Sequence, residues 1–176
     1  LLSNPDEIVI FPSFPQYASS TTGSVYEEVF NILSKEWVIP KITFINQFFN
    51  NELFIDAWIE KISHFDLSNY EKIIFSYHGL PDTQVDKVYN EAKCIDQSCD
   101  TEFNETNKYC YKAGCYETSR LISSKLNLSK DRFITAFQSR LTKKWLTPFT
   151  DEVIVDFAKN NIKNIPNSMP IYYINK

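Results

Sequence analysis

The chain has 176 residues, of which 43% are hydrophobic and 15% aromatic, enough for one sizeable core or two small lobes and too apolar for a disordered tract. Its formal net charge of −4 and pI near 5.2 argue against a nucleic-acid partner, which would call for a basic face. No apolar run approaches the roughly 20 residues of a membrane span, and no signal peptide is visible.

The sequence opens at Leu1 and its only methionine is Met169, so the chain is not expected to begin at a natural start. Ile8–Phe11 is a short apolar run that reads as a buried strand, ending at Pro12 and Pro15. A hydroxyl-rich turn follows, Ser19-Ser20-Thr21-Thr22-Gly23-Ser24. Val25, Val29, Ile32 and Leu33 then recur at helical spacing, with Ser24 or Thr22 as the expected N-cap. After Pro40, Ile42–Ile45 reads as a second strand. Asn51 is expected to cap a helix carrying Leu53, Phe54, Ala57, Trp58 and Ile62.

Lys72–Phe75 reads as a third strand running into Ser76-Tyr77-His78-Gly79-Leu80-Pro81. A polar segment over about 82–114 follows. A helix is expected from near Cys115, with Leu121, Ile122 and Leu126 inward, then a strand at Phe133–Phe137. Pro148 and Thr150 open a last helix with Asp151 and Glu152 in its first turn, where the helix dipole favours them, and Val153, Ile154, Phe157 and Ala158 as its apolar stripe. Beyond 163–165 a further strand is expected, yet Pro166 and Pro170 suit a central strand badly, which points to a truncated or altered C-terminus. Alternating strands and helices predict an α/β fold with parallel sheets flanked by helices. Two lobes are expected, residues 1–66 and 67–176, with the Trp58 helix leading across the boundary and the polar segment inserted in the second.

Ligands of open α/β sheets bind beyond the carboxyl ends of the strands. Three polar sets fall there: Gln16-Tyr17 with the hydroxyl turn, Tyr77-His78-Gly79, and Gln138-Ser139-Arg140. His78 is the sharpest candidate. A neutral imidazole binds a metal or accepts a proton near pH 7, although a histidine hydrogen-bonded at a strand end would look the same in sequence. His64, at a helix end, reads as a cap. The Ser/Thr turn suits an anion through backbone N–H groups but reads more simply as a cap. Trp145, after two lysines, either stacks on a flat ligand or covers the core.

Cys94, Cys99, Cys110 and Cys115 are spaced C-x4-C, ten residues, C-x4-C. Without signs of secretion, clustered cysteines read as a metal site before disulfides. Zinc and an iron–sulfur cluster both remain open on this spacing, as does Cys115 as a lone buried thiol.

Three blocks in order resemble the ferrochelatase family. Phe14-Pro15-Gln16-Tyr17 with Ser20-Thr21-Thr22-Gly23-Ser24 is similar to its PQYS-x-STTGS segment. Phe75-Ser76-Tyr77-His78-Gly79-Leu80-Pro81 is similar to its FSxHGLP strand end. Phe137-Gln138-Ser139-Arg140, then Trp145-Leu146, Pro148 and Thr150-Asp151-Glu152, is similar to its FQSR and WL-x-P-x-TDE block. The resemblance covers about residues 5–165. It implies a two-lobed chelatase fold, Rossmann-like and incomplete at both ends here, with a porphyrin cleft between the lobes. It implies an enzyme that inserts Fe²⁺ into protoporphyrin IX or coproporphyrin in haem biosynthesis, releasing two protons. His78 falls on the active-site histidine, which binds the substrate iron or takes pyrrole protons. Tyr17, Gln138, Ser139 and Trp145 fall near the porphyrin, and Phe48 stands where other members carry an aromatic at the cleft lip.

Two departures bear on this. The family's acidic segment facing the histidine has no counterpart here, nor has the N-terminal part of the first lobe, so this chain alone is expected to be weakly active or inactive. Animal members bind a [2Fe–2S] cluster through a cysteine in the first block and others at the C-terminus; Ser19 replaces the first, and no C-terminal cysteines are present. Bacterial members with four cysteines in an internal insertion resemble this chain, which implies a [2Fe–2S] cluster on Cys94, Cys99, Cys110 and Cys115. The competing readings are a non-catalytic porphyrin- or haem-binding or iron–sulfur module, and a cobalt or nickel tetrapyrrole chelatase. A cytoplasmic setting is expected. Porphyrins partition into membranes, so a peripheral membrane contact would suit the enzyme.

Overall fold

The computed structural model describes residues 5–162 and 169–170. The chain divides into two compact units, residues 1–49 and 50–176.

In the first unit, β1 (Glu7–Ile10) and β2 (Lys41–Phe44) run parallel, with Glu7 opposite Lys41 and Ile10 opposite Phe44. Glu7 accepts a 2.7 Å hydrogen bond from the Thr43 hydroxyl and pairs with Lys41 at 2.9 Å. α1 (Ser24–Leu33) lies over one face of this sheet. Ile8, Ile10 and Ile42 meet Val29, Ile32 and Leu33 around an apolar cavity of about 160 Å³. The expected buried strand is corrected here: Ile8 and Ile10 are half-buried, but Val9 is 55% exposed. A strand buried on both sides needs a layer on each, and only the Ile8/Ile10 side meets α1.

The hydroxyl turn is also corrected. Residues Ser19–Gly23 already form a wide helical turn that passes directly into α1, so neither Thr22 nor Ser24 is an N-cap. The hydroxyls bond backwards instead, Thr21 to the Ala18 carbonyl (3.3 Å) and Ser24 to the Thr21 carbonyl (2.8 Å). Such back-bonding lets short polar side chains sit inside a helical turn.

In the second unit, Asn51 caps α2 (Glu52–Ser63) as expected, its side-chain oxygen accepting from the backbone N–H groups of Leu53 (3.0 Å) and Phe54 (3.4 Å). α2 packs on α4 (Tyr111–Lys125), and Lys125 bonds to Asp56 across them. That packing places the Trp58 helix in the second unit. Its inward residues are Ile55 and Ile62, while Leu53 is 79% exposed and Ala57 is exposed. Contact with one neighbouring helix needs only a narrow stripe, and two isoleucines seven residues apart supply it.

β3 (Ile73–His78), β4 (Phe133–Gln138) and the short β5 (Met169–Pro170) form a parallel sheet in the order β4-β3-β5. Both long strands run further than the apolar runs alone predict, β3 as far as His78 and β4 as far as Gln138. Ile73–Tyr77 are all buried, as befits a central strand covered on both faces. One face meets α5 (Thr150–Lys159) through Ile74, Ala136, Val153 and Phe157, with Ile154 43% exposed instead of in the stripe. The other meets α4 through hydroxyls: Tyr77 to Ser119 (3.0 Å) and Thr135 to Ser119 (2.8 Å). β5 is an edge strand of the described sheet, where a proline costs no ladder bond. Residues 163–168 and 171–176, the rest of the expected tail strand, lie outside the described residues.

α4 begins at Tyr111, four residues before its expected start, with Cys110 at the N-cap. Ile122 is fully buried, with Leu121 and Leu126 half-buried. A short α3 (Asp82–Val85) and single 3₁₀ turns occupy the polar segment before it.

Candidate functional site

The parallel register of β3 and β4 sets His78 directly opposite Gln138 at the carboxyl ends of both strands. Gly79 then donates its N–H to the Gln138 carbonyl at 2.7 Å. A Cβ on Gly79 would lie 2.9 Å from that carbonyl oxygen and 3.3 Å from the Trp145 ring. Glycine is therefore required by close approach. Beyond it the two strand-end loops join: Asp82 donates to the Lys144 carbonyl (3.1 Å), Leu146 donates to the Leu80 carbonyl (3.0 Å), and Pro81 bridges to Trp145. Four residues singled out in the sequence, His78, Gln138, Ser139 and Trp145, are thus brought together at one sheet end.

Ser139 has φ 64°, in the left-handed region that favours glycine. Such conformations persist where the surroundings impose them. The adjoining Arg140 supplies one constraint: its guanidinium lies 4.0 Å from the Phe149 ring centroid and pairs with Asp151 (2.8 Å) and Glu152 (2.9 Å). Asp151 and Glu152 therefore do more than face the helix dipole; they also pair with Arg140 in the turn after β4. Behind the site, the buried hydroxyls of Ser76 and Thr150 lie 2.8 Å apart. Tyr111, which the sequence reading passed over, donates its hydroxyl to the His78 carbonyl at 2.9 Å. No periodicity marks it; its place directly after Cys110 was the only signal.

Tyr17 and Phe48 belong to the first unit. The Pro15 carbonyl accepts both the Phe48 and Phe49 N–H groups (2.9 and 3.1 Å), joining the loops after β1 and β2. Phe48 packs on Phe11 with ring centroids 4.9 Å apart. The Tyr17 hydroxyl would lie 3.3 Å from a Cβ on Gly23. His64 is the C-cap of α2, as its position suggested.

Three of the four cysteines converge. The Cys94, Cys99 and Cys110 sulfurs are separated by 3.5 Å (94–110), 3.7 Å (99–110) and 4.0 Å (94–99), and all three residues are buried. All four cysteines are free thiols. Hydrogen bonds from the Cys94 and Cys99 thiols hold the Cys110 thiol well below the usual range, helped by the first-turn N–H of Ala113. The Asp86 carboxylate accepts the Cys94 N–H (2.8 Å), and the Tyr89 hydroxyl lies 3.1 Å from Cys99 Sγ. Cys115 stands outside this group of sulfurs. It is fully buried in the body of α4, where desolvation raises its thiol far above the usual range.

This donor set does not fit a four-cysteine [2Fe–2S] cluster. Such a cluster carries two thiolates on each of two irons. Any three of its ligands include one on the far iron, set well apart from the other two. Here all three separations are short. They match the edge of a tetrahedron about a single ion, about 3.8 Å for metal–sulfur bonds of about 2.3 Å.

A sequence model of the ferrochelatase family matches residues 2–174. A ferrochelatase of Legionella pneumophila (strain Corby) is 36% identical over 172 residues, covering 97% of this chain and 51% of that protein. A ferrochelatase of Coxiella burnetii (strain Dugway 5J108-111) is 37% identical over 163 residues, covering 90% of this chain and 45% of that protein. The chain therefore spans about half the length of the curated relatives it matches. With the family match running through both units, and with His78, Gln138 and Trp145 meeting at one sheet end, this chain belongs to the ferrochelatase family.

Proposed function

We propose that the protein to which this chain belongs inserts Fe²⁺ into a porphyrin, protoporphyrin IX or coproporphyrin, in haem biosynthesis. The observation that carries this is the junction of His78, Gly79, Gln138 and Trp145 at the ends of two parallel strands. Metallation must strip water from the iron and remove two pyrrole protons. An imidazole at the site can ligate the iron or accept a proton at neutral pH. Distorting the macrocycle exposes its nitrogen lone pairs, and a rigid aromatic wall can hold it in that shape at the expense of binding energy. Tyr17, Phe48, Gln138, Ser139 and Trp145 are the proposed porphyrin contacts, and His78 is the proposed catalytic residue.

Curated relatives named ferrochelatase favour iron over the cobalt or nickel alternative, and an enzyme over a haem-holding module. No helix among the described residues is long and apolar enough to cross a membrane. The cytoplasm is the proposed location, with porphyrin and ferrous iron as the partners and a peripheral membrane contact suited to a membrane-partitioning substrate. The [2Fe–2S] reading of the cysteines rests on the family resemblance and would need Cys115 as its fourth ligand.

The test is anaerobic ferrous-iron insertion by a protein of the relatives' full length, followed by loss of porphyrin fluorescence, with Co²⁺ and Ni²⁺ in parallel. Turnover with iron, lost in His78→Ala while porphyrin binding persists, supports the reading. Tight porphyrin binding without turnover would point to a binding module, and preference for cobalt or nickel to the other chelatases.

A further inference from the structure

We infer that Cys94, Cys99 and Cys110 hold one tetrahedral divalent ion, zinc by its donor chemistry, with the Tyr89 hydroxyl at the fourth vertex. The inference is independent of the porphyrin reading. It starts from three sulfurs whose separations, 3.5, 3.7 and 4.0 Å, span the edge expected about one ion. The cysteines come from a 3₁₀ turn (Cys94), a loop (Cys99) and the N-cap of α4 (Cys110), so the site would tie the polar segment to the body of the second unit.

The proposed fourth donor lies beside two of these three sulfurs. An oxygen completing the tetrahedron would lie about 3.6 Å from each sulfur, given metal–oxygen bonds of about 2.1 Å. The Tyr89 hydroxyl is 3.1 Å from Cys99 Sγ and within hydrogen-bonding reach of Cys110. Cys115 lies outside the group. Three thiolates and one oxygen suit zinc, which is borderline-soft and tolerates mixed S and O ligands.

The outer contacts are those of a built site. Asp86 holds the Cys94 backbone at 2.8 Å. Asn107 points its amide at Cys99 Sγ (3.9 Å) while bonding the Glu102 carbonyl (3.0 Å) and accepting the Asn104 N–H (2.8 Å). The first turn of α4 faces the Cys110 sulfur with its positive end. A cavity of about 400 Å³ bordered by Asp82, Asp86, Lys112, Trp145 and Cys94 gives an ion a way in. Ligand identity, spacing, outer contacts and access are the features by which a metal site is judged from structure.

The experiment loads the full 176-residue chain with Zn²⁺, or with Co²⁺ as a visible probe, after anaerobic purification. Metal and acid-labile sulfide are counted in the wild type and in Cys110→Ser, Cys115→Ala and Tyr89→Phe. The expected result is one metal per chain without sulfide, with the intense visible bands of tetrahedral thiolate-bound cobalt. Cys115→Ala should keep that stoichiometry and spectrum. Cys110→Ser should weaken binding by about a hundredfold or more, and Tyr89→Phe by roughly tenfold with a shifted cobalt spectrum. Two irons with two sulfides, lost in Cys115→Ala, would overturn the inference in favour of a [2Fe–2S] cluster. Absence of bound metal in the folded wild type would overturn it outright, and an unchanged cobalt spectrum in Tyr89→Phe would remove Tyr89 from the fourth vertex.

Discussion

The Tyr111 hydroxyl donates a 2.9 Å hydrogen bond to the main-chain carbonyl of His78, and Tyr111 directly follows Cys110. One covalent step therefore separates the cysteine group from a residue that grips the backbone of the candidate catalytic histidine. Tyr111 is buried, so its hydrogen bond is shielded from competing water. Tyr111→Phe keeps the ring and removes the hydroxyl, which bonds the His78 carbonyl and also meets the Cys115 thiol. The expected loss of stability is about 1 kcal/mol, read from the urea midpoint. The carbonyl signal of His78 should shift in NMR spectra while α4 keeps its helicity. An unmoved His78 signal would show that the contact does not hold the strand end.

Gly79 is the tightest point of the site. Its backbone sits so close to Gln138 that an added methyl would meet the carbonyl oxygen at 2.9 Å, and that oxygen belongs to a strand end and has no free rotation to yield. Gly79→Ala is expected to cost about 1–3 kcal/mol, in the range of overpacked cores. It should also part the loops that join at Leu80–Leu146 and Asp82–Lys144, which would appear as lost amide protection at Leu146 and Asp82 in hydrogen exchange. Wild-type stability in Gly79→Ala would mean the strands separate more freely than this packing allows.

The buried Ser76–Thr150 pair, 2.8 Å apart, links β3 to the first residue of α5. Removing one hydroxyl leaves the other buried without its partner, which costs about 1–3 kcal/mol. Removing both with apolar residues of similar shape relieves that penalty. The expected pattern is therefore non-additive: Ser76→Ala and Thr150→Val each destabilise, and the double variant loses less than the sum. Additive losses in urea unfolding would deny the direct coupling.

Much of this arrangement was legible in the residues. Asn51 capped its helix because a short amide side chain before an apolar-periodic run has one good use there. His78 and Gln138 were placed at strand ends by the apolar runs before them, and the parallel sheet then made them neighbours. What escaped the sequence depended on tertiary choices. The apolar runs set where β1 lies but not that Val9 would face away from α1. The hydroxyl turn looked like a cap because Ser and Thr favour caps, whereas back-bonding made it the start of the helix itself. Cysteine spacing alone could not separate three convergent sulfurs from a fourth fixed in a helix interior. Tyr89 and Asn107 carry no pattern at all; only their place in space beside Cys99 marks them.

Arg140 offers a test of what holds the turn after β4. Its guanidinium does two things at once: it lies over the Phe149 ring at 4.0 Å and reaches both Asp151 and Glu152. A planar guanidinium can stack and pair together, whereas the compact ammonium of lysine cannot fill both roles. The carboxylates are largely exposed, so the ion pairs by themselves contribute little and are screened by salt. The stacking on Phe149 is not weakened by salt in the same way. Arg140→Lys is therefore expected to lower stability by about 1 kcal/mol, with most of that difference persisting when the unfolding is repeated at high ionic strength. Asp151→Asn combined with Glu152→Gln should cost less, and its effect should fade as salt is added. If the lysine variant's deficit also vanished in salt, the turn would be held by charge alone, and the left-handed Ser139 would owe its conformation to something other than the Arg140–Phe149 stack.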